Sequence, residues 1–549
     1  MDNLFDRVAE RRRQQFEQLT HSRFDVLVIG GGITGSGVAW QLARWGLRIA
    51  LIEQSDYASG TSSRSSKMIH GGFRYLPHGE IRLVRQVSRE RTRLRALMPH
   101  LISPLPMTIP AYQGGPFSLG TLSFGSWLYD HLSHIDRQFA HQRLSPQDVQ
   151  ARTPGITGEN LAGGIAYYEF GGHDARINWA VVKTAEQLGA LTVNYVRANL
   201  KESRLIPDGP SHVAVEDLFS GGTGIVEARL VVNAAGPWAD LLDPEARLVR
   251  SRGIHLVFLR ERFPLSYATI LPTPENANIF AVPRGPITYL GTTDYPDHGA
   301  VDSPDLPLSD AQYLLNVANR LFPQAALKLQ DIIAAWSGVR PLVAQDAGQK
   351  TDRLSRRDLI VAKPSMVTVL GGKFTGFRAT GESVARTVLG RLGGIGTLPA
   401  REAIWGAPAA ETLERLKQRT MDAFNGAGHW TDVMVQRYGA LTPEWLRWAK
   451  QTGSDGLEPV SDGIPWLKAE IDWAVLREQA LSLADVLIRR SGIAWLGGLS
   501  PERLKEVAQR TADRMRLLLD WSPEERDRQM ALFYRTAYVD DVERFRQTL

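Results

Sequence analysis

The chain contains no cysteine among its 549 residues. Disulfides, zinc–thiolate sites, iron–sulfur clusters, catalytic thiols and thioether-linked prosthetic groups are therefore excluded. Any electron transfer must then depend on an organic cofactor. No stretch approaches 18 consecutive apolar residues, so a membrane-spanning helix is not expected. Residues 1–24 lack the apolar core of a secretory signal and carry acidic residues that a transit peptide avoids. The expectation is a cytosolic protein whose membrane contact is at most peripheral. Internal repeats, low-complexity tracts, metal-ligand spacings and nucleic-acid-binding modules are also missing, so neither a metal nor a nucleic-acid partner is expected.

What is present is the balance of a globular protein: 43% apolar and 22% charged residues, with 50 glycines and 30 prolines. The length exceeds the roughly 250–300 residues at which single cores stop growing, so more than one structural unit shares the chain. Net charge is +5, and arginine dominates the basic side. Such a surface suits anionic ligands or lipid headgroups, although a single basic run is more often a solvated face.

Signal changes along the chain suggest an α/β plus α+β organisation. Residues 1–23 read as a short helical extension. Strand and helix signals alternate to about residue 100, and a Pro- and Gly-rich stretch through residue 120 reads as the start of a loop-rich region. The expected boundaries are a discontinuous cofactor domain over 24–100 with parts of 161–240 and 335–395, a mixed-sheet substrate domain over 101–160 and 241–334, and a helical C-terminal domain over 400–549. Apolar runs at 229–235, 286–293 and 366–372 read as strands. Beyond residue 400, ETLERLKQRTMDAF, PEWLRWAKQ and PERLKEVAQRTADRMRLLLDW carry helical periodicity. Residues 79–98 combine Ile81, Val84, Val87, Leu94 and Leu97 with Arg82, Arg85, Arg89, Arg91, Arg93 and Arg95. This pattern fits a basic amphipathic helix, which either lies on a membrane or packs on the core.

The most informative segment is FDVLVIGGGITGSGVAWQLARWGLRIALIE. An apolar strand at Asp25–Ile29 leads into Gly30, Gly32 and Gly35 in G-x-G-x-x-G spacing, then a helix, then a strand ending at Glu53. The first two glycines permit a tight turn and let the backbone approach a pyrophosphate. The third permits close packing of helix and strand, and the acid suits the hydroxyls of an adenosine ribose. This is a dinucleotide-type fingerprint and does not by itself separate FAD from NAD. The next segment, GTSSRSSKMIHGGFRYL, is dense in small hydroxyl side chains that can follow an extended cofactor. Its members Thr61, Ser62, Ser63, Ser65, Ser66 and Lys67 are cofactor-site candidates.

In VIGGGITGSGVA, TSSRSSKMIHGGFRYL, VVNAAGPWAD, GTTD, SGVRPL and LGGKFTG the chain resembles the respiratory, FAD-dependent glycerol-3-phosphate dehydrogenases of the D-amino-acid oxidase superfamily. The resemblance runs in order over about residues 24–380, with weaker motifs beyond 400. It implies a Rossmann-type FAD domain and adds Gly236, Gly372, Lys373 and Thr375 to the cofactor candidates. Lys373, with the backbone N–H groups of Gly371 and Gly372, would stabilise negative charge near N1 and O2 of the reduced flavin. Arg74, Tyr75, Arg340 and Arg356 become phosphate or substrate candidates, because the guanidinium fork suits phosphate; in SRRD either Arg356 or Arg357 matches the family arginine. His255 would serve the C2 hydroxyl while hydride passes to flavin N5.

The same resemblance implies oxidation of sn-glycerol 3-phosphate to dihydroxyacetone phosphate, a quinone acceptor, peripheral attachment to the inner face of the cell membrane, and leaves a homodimer open. Ile254 stands where the family commonly has serine, and Gly376 and Phe377 replace hydroxyl residues. An oxygen-using amine or 2-hydroxy-acid oxidase on the same flavin fold is the alternative chemistry. A flavoprotein scaffold that binds a partner through its C-terminal helices is the non-enzymatic one.

Overall fold

The strand Arg23–Ile29 is apolar at successive positions because both of its faces are covered. Val26 and Val28 point into one core cluster with Ile49 and Leu51, whereas Leu27 and Ile29 enter another with Ala50 and Ile52. The strand therefore sits in the middle of a sheet. It pairs in parallel with Ile49–Ile52 on one side and Thr223–Asn233 on the other. The computed structural model describes residues 4–73, 79–133, 136–207, 209–273, 278–343, 358–394, 399–423, 428–451 and 455–548.

From edge to edge, the first sheet runs Leu359–Ala362, Met366–Leu370, Thr223–Asn233, Arg23–Ile29, Ile49–Ile52 and Leu191–Val193, and the strands Val196–Arg204 and Ser211–Asp217 extend it beside Thr223–Asn233. Three separated stretches of sequence thus build one cofactor-type sheet. Helices Ile33–Arg44, Asp174–Gln187 and Phe377–Arg391 pack together over one face, where Gly381 and Gly37 lie so close that a Cβ on Gly381 would stand 2.6 Å from the Gly37 carbonyl oxygen.

Among the described residues the second sheet has ten strands, and its strands Leu248–Leu259 and Ile332–Val343 form an antiparallel pair. Their register sets Ser251 opposite Arg340 and His255 opposite Trp336. The stretch expected to open a loop-rich region instead begins with an 11-residue strand, Ile102–Tyr112. Pro104, Pro106 and Pro110 share one parity, so their missing N–H groups fall on one edge, and the pairing with Leu161–Gly172 survives.

The segment 79–98 is helical at Ile81–Leu97, but its apolar side, with Val84, Val87 and Leu94, is buried. Arg91 is buried as well, bonded to Glu169 at 2.8 Å and to the Tyr129 hydroxyl at 2.8 Å. Of the two placements open to this helix, its apolar face takes packing on the core. Arg82, Arg85 and Arg89 remain exposed.

Beyond residue 400 the described structure is helical, with Ala410–Ala423, Thr442–Gln451 and Pro501–Leu519 at the periodic segments, and one isolated bridge between Pro459 and Leu467. This region grips the cofactor sheet through buried ion pairs. Asp56 accepts from Arg489 at 2.6 Å and from Arg490 at 2.7 Å, both carried by the π-wound segment Asp485–Arg490. Burial pushes the Asp56 carboxyl upward, but the two guanidinium groups hold it below the usual range. The N-terminal helix Leu4–His21 acts as a second tie: Arg12 reaches Asp217 at 2.7 Å, and Arg11 donates to the Val475 carbonyl at 3.1 Å.

Candidate active site

The glycine turn is dictated by backbone proximity. Gly30 has φ +110°, and a Cβ there would stand 2.6 Å from the Ala234 carbonyl oxygen. A Cβ on Gly35 would stand 1.9 Å from the Gly30 oxygen, so the third glycine lets the helix seat on the turn. Gly32 is different: its Cβ direction meets Ser62 Oγ at 3.1 Å, on the wall of a cavity. That hydroxyl accepts the Ile33 N–H at 2.9 Å, at the start of the helix. Glu53 accepts the N–H of Gly31 at 2.7 Å and of Ser55 at 2.9 Å. Burial raises its carboxyl above the ordinary range, and these two backbone donors oppose the rise.

One cavity of about 720 Å³ is lined by Gly30, Gly32, Glu53, Thr61, Ser62, Ser65, Ser66, Gly236, His255, Arg340, Gly372, Lys373 and Thr375. The sequence candidates converge on it from the glycine turn, the serine loop, the second sheet and the late glycine loop. Gly236 has φ +57° and open space on its Cβ side. Gly371 and Gly372 take φ +69° and +93°, which turns the chain before Lys373.

Three candidates stand off the wall. Gly35 is spent on helix packing. Ser63 is buried beside the loop. Lys67, at φ +54°, faces inward, where its ammonium bonds Asp174 Oδ1 at 3.0 Å and the Ser63 carbonyl at 2.7 Å. The side chain of this cofactor candidate is thus turned away from the cavity, toward a buried carboxylate. Arg74, Tyr75, Arg356 and Arg357 lie outside the described residues.

The second sheet supplies the chemically distinctive wall. His255 is buried, stacks on Trp336 at 4.7 Å with ring planes 13° apart, and meets the edge of Tyr289 at 6.2 Å. Its Nε2 lies 2.9 Å from Ser66 Oγ, and Nδ1 meets no hydrogen-bond partner among the described residues. Nε2 is thus committed to the serine loop, and Nδ1 is buried. Burial above all, then the charges of Arg340 and Lys67, pushes the imidazole well below its usual pKa, so it is neutral near pH 7. Arg340 bonds Thr292 Oγ1 at 2.8 Å and the Thr293 carbonyl at 3.2 Å, with Asp294 at 3.5 Å. These contacts hold the guanidinium on the cavity wall, with Asp294 as an ion-pair partner.

Sequence reasoning missed Asp174, Trp336, Thr292 and Asn178, whose amide donates to the Gly31 carbonyl at 3.0 Å. Asp174 holds the serine loop through Ser65 Oγ at 2.7 Å as well as through Lys67. The faint available signal was the sequence GGHDARIN, an acid opening a helix after a strand.

A cradle in which a Cβ at Gly30 would collide with backbone, with helix N–H groups and an acid at its end, fits the adenosine diphosphate half of a dinucleotide. No group of three or more His, Asp or Glu side chains able to hold a metal occurs among the described residues.

Comparison with known proteins agrees with this geometry. The family model described as FAD dependent oxidoreductase matches residues 25–387, and the C-terminal domain of alpha-glycerophosphate oxidase matches residues 401–526. The aerobic glycerol-3-phosphate dehydrogenase of Bacillus subtilis is 36% identical over 69% of this chain and 69% of its own. The enzyme of that name from Staphylococcus aureus is 30% identical over 97% of this chain and 96% of its own. The crystal structure of the glycerol-3-phosphate dehydrogenase from Bacillus halodurans complexed with FAD superposes with a TM-score of 0.78 at 25% identity, covering 98% of each chain. Glycine turn, serine loop, His255–Arg340 wall and helical C-terminal region thus occur together in a chain that belongs to the FAD dependent oxidoreductase family and, within it, to the aerobic glycerol-3-phosphate dehydrogenases.

Proposed function

We propose that this chain oxidises sn-glycerol 3-phosphate to dihydroxyacetone phosphate, uses FAD as its cofactor and passes the electrons to a quinone at a membrane surface. The observation that carries the reading is the placement of a neutral imidazole and an arginine on the wall of the cavity that the glycine turn opens. Bound FAD supplies the two-electron acceptor for the hydride that leaves C2. The residues supply the rest. Arg340 takes the phosphate through its planar fork. His255 receives the C2 hydroxyl proton, and Ser66 fixes the ring through Nε2. Lys373 and the N–H groups of the Gly371–Gly372 turn give the late loop positive potential, which favours a cofactor that gains negative charge on reduction. Arg74 and one of Arg356 and Arg357 complete the proposed phosphate site.

Membrane attachment is supported by the helix Leu119–Ser133. Phe124 and Trp127 are 64% and 48% exposed and stack at 5.8 Å. Phe124 also lines the cavity, so an apolar surface adjoins the cavity mouth. The helix packed beside it exposes Arg82, Arg85 and Arg89. Aromatic side chains favour the bilayer interface, and arginines favour anionic headgroups. No helix among the described residues is long and apolar enough to cross a membrane.

The test is an anaerobic titration of the flavoprotein with phosphorylated polyols. Glycerol 3-phosphate should bleach the flavin spectrum, and unphosphorylated glycerol should not at equal concentration. No bleaching by any member of the series would sink the assignment.

A further inference from the structure

Trp336 is buried, and two rings stack on it. The imidazole of His255 lies at 4.7 Å with the planes 13° apart, and the indole of Trp495 lies at 5.7 Å with the planes 29° apart. Trp495 belongs to the C-terminal region, in the short helix Ile493–Leu496, and its Nε1 donates to the Ala537 carbonyl at 3.4 Å. The Lys67 ammonium sits 4.9 Å from one indole centre and 5.3 Å from the other, bonded to Asp174. Trp336 Nε1 donates to the Ser65 carbonyl at 3.2 Å, so the indole also holds the serine loop that carries Ser66.

We propose that Trp495 is a positioning residue for His255: by bracing Trp336 it fixes the plane of the imidazole, so the helical C-terminal region sets the geometry of the cavity wall. The proposal rests on His255 being the proton acceptor of the reaction above. The physical argument is one of soft torsions. The outer torsion of a histidine side chain is broad, and a single hydrogen bond between Nε2 and Ser66 leaves the ring free to rock about that bond. A flat indole at stacking distance removes the rocking only if the indole cannot retreat. Trp336 and His255 share the cross-strand register, which fixes their backbones but not their ring planes. Trp495 is buried and fills the space into which Trp336 would otherwise move.

The test compares Trp495→Leu, Trp495→Phe and His255→Gln in the FAD-loaded enzyme, with flavin content, kcat, KM and the pH profile of kcat/KM. Leucine keeps apolar volume and loses the flat face. Its kcat should fall about tenfold, the order expected for a misplacement of well under 1 Å, with KM for glycerol 3-phosphate little changed because Arg340 is not involved. A loosened stack admits water to an imidazole now faced by Ser66, Tyr289, Trp336, Arg340 and Lys67, so its desolvation lessens and the acid limb should move to higher pH. Phenylalanine, a smaller ring, should fall between leucine and the wild type in both measures. Wild-type kcat and acid limb in the leucine variant, a phenylalanine variant that falls as far as leucine, or a loss of kcat matched by loss of flavin would each overturn the proposal. Should the leucine variant fail to fold, an unchanged kcat and acid limb in the phenylalanine variant overturns it. If His255→Gln is fully active, the reading of His255 fails and the proposal with it; if that variant is inactive while Trp495→Leu is normal, only the proposal fails.

Discussion

The hydroxyl of Ser66 lies 2.9 Å from Nε2 of His255, which joins the serine loop that follows the glycine turn to the wall that carries the proposed proton acceptor. Neither residue works at that position alone, because the loop is itself held by Tyr289, whose hydroxyl donates to the Ser66 carbonyl at 2.8 Å. Ser66→Ala should therefore retain FAD and lower kcat by roughly three- to tenfold, the net worth of one hydrogen bond. Steady-state kinetics at constant flavin content check this, and an unchanged kcat would release Ser66 from the role.

The pH dependence follows from the same imidazole. Its pKa is depressed by burial, with Arg340 and Lys67 acting in the same direction, and it must be neutral to accept a proton. The acid limb of kcat/KM should accordingly lie below about 6.5, the unperturbed histidine value. A limb at pH 7 or above would contradict the neutral-base assignment. The sign carries over to stability. His100, held at about 3 by burial and the Arg176 charge, and His255 both bind a proton more readily when unfolded. Their contribution is full above the unfolded pKa of about 6.5 and is lost as pH falls below it, by about 1.4 kcal/mol per pH unit for each histidine. Denaturant titrations at pH 7.5 and 5.5 measure this, and His100→Gln should flatten the slope.

Arg340 offers a separable effect. Arg340→Ala should raise KM for glycerol 3-phosphate and lower kcat/KM about a hundredfold while flavin content is unchanged, because a charge-assisted bidentate contact is worth a few kcal/mol. Lysine should recover only part, since a point charge replaces the fork. An unchanged KM in the alanine variant would remove Arg340 from the phosphate site.

The second and third glycines of the turn should fail in different ways. Gly35→Ala places a Cβ 1.9 Å from the Gly30 carbonyl oxygen, so the helix must shift and the protein should lose solubility or melt at much lower temperature. The Cβ of Gly32→Val meets only the Ser62 hydroxyl, at 3.1 Å, on the wall of the cavity. That variant should fold and emerge colourless. Thermal melting and flavin absorbance distinguish the outcomes, and a yellow Gly32→Val protein would argue against the pyrophosphate lying there.

These contrasts mark what the sequence could reveal. The glycine turn and Glu53 were legible because local backbone chemistry fixes their spacing. His255 and Arg340 were reached by resemblance, since nothing near either residue in the chain announces a cavity wall. Trp336 and Trp495 gave no signal and Asp174 only a faint one, because their meaning lies in contacts such as Lys67 with Asp174 and Trp336 with Trp495, which only the folded chain brings together. The helix at 79–98 had the pattern of a membrane-lying helix and that of a core-packed one at once, and burial of Val84, Val87 and Leu94 decided for the core. The strand at Ile102–Tyr112 was hidden by prolines whose shared parity becomes harmless only beside the right neighbour.

Membrane docking is the prediction with the widest separation of outcomes. The exposed pair Phe124 and Trp127 supplies apolar area, and Arg82, Arg85 and Arg89 on the neighbouring helix supply charge, at about 1 kcal/mol for each arginine close to an anionic surface. Both contributions are needed, because an exposed aromatic pair alone is a small anchor and three arginines alone are screened at physiological salt within about 8 Å. The wild-type protein should float with anionic vesicles at low salt, less at high salt, and little with neutral vesicles. Replacing the three arginines by glutamate should abolish flotation while leaving reduction of a water-soluble quinone analogue intact, since these side chains lie outside the cavity lining. Trp127→Ser should weaken flotation at both salt concentrations, because burial of apolar area is not screened. If the wild-type protein never floats yet reduces the soluble analogue at its normal rate, the docking surface is wrong and the dehydrogenase assignment stands without it.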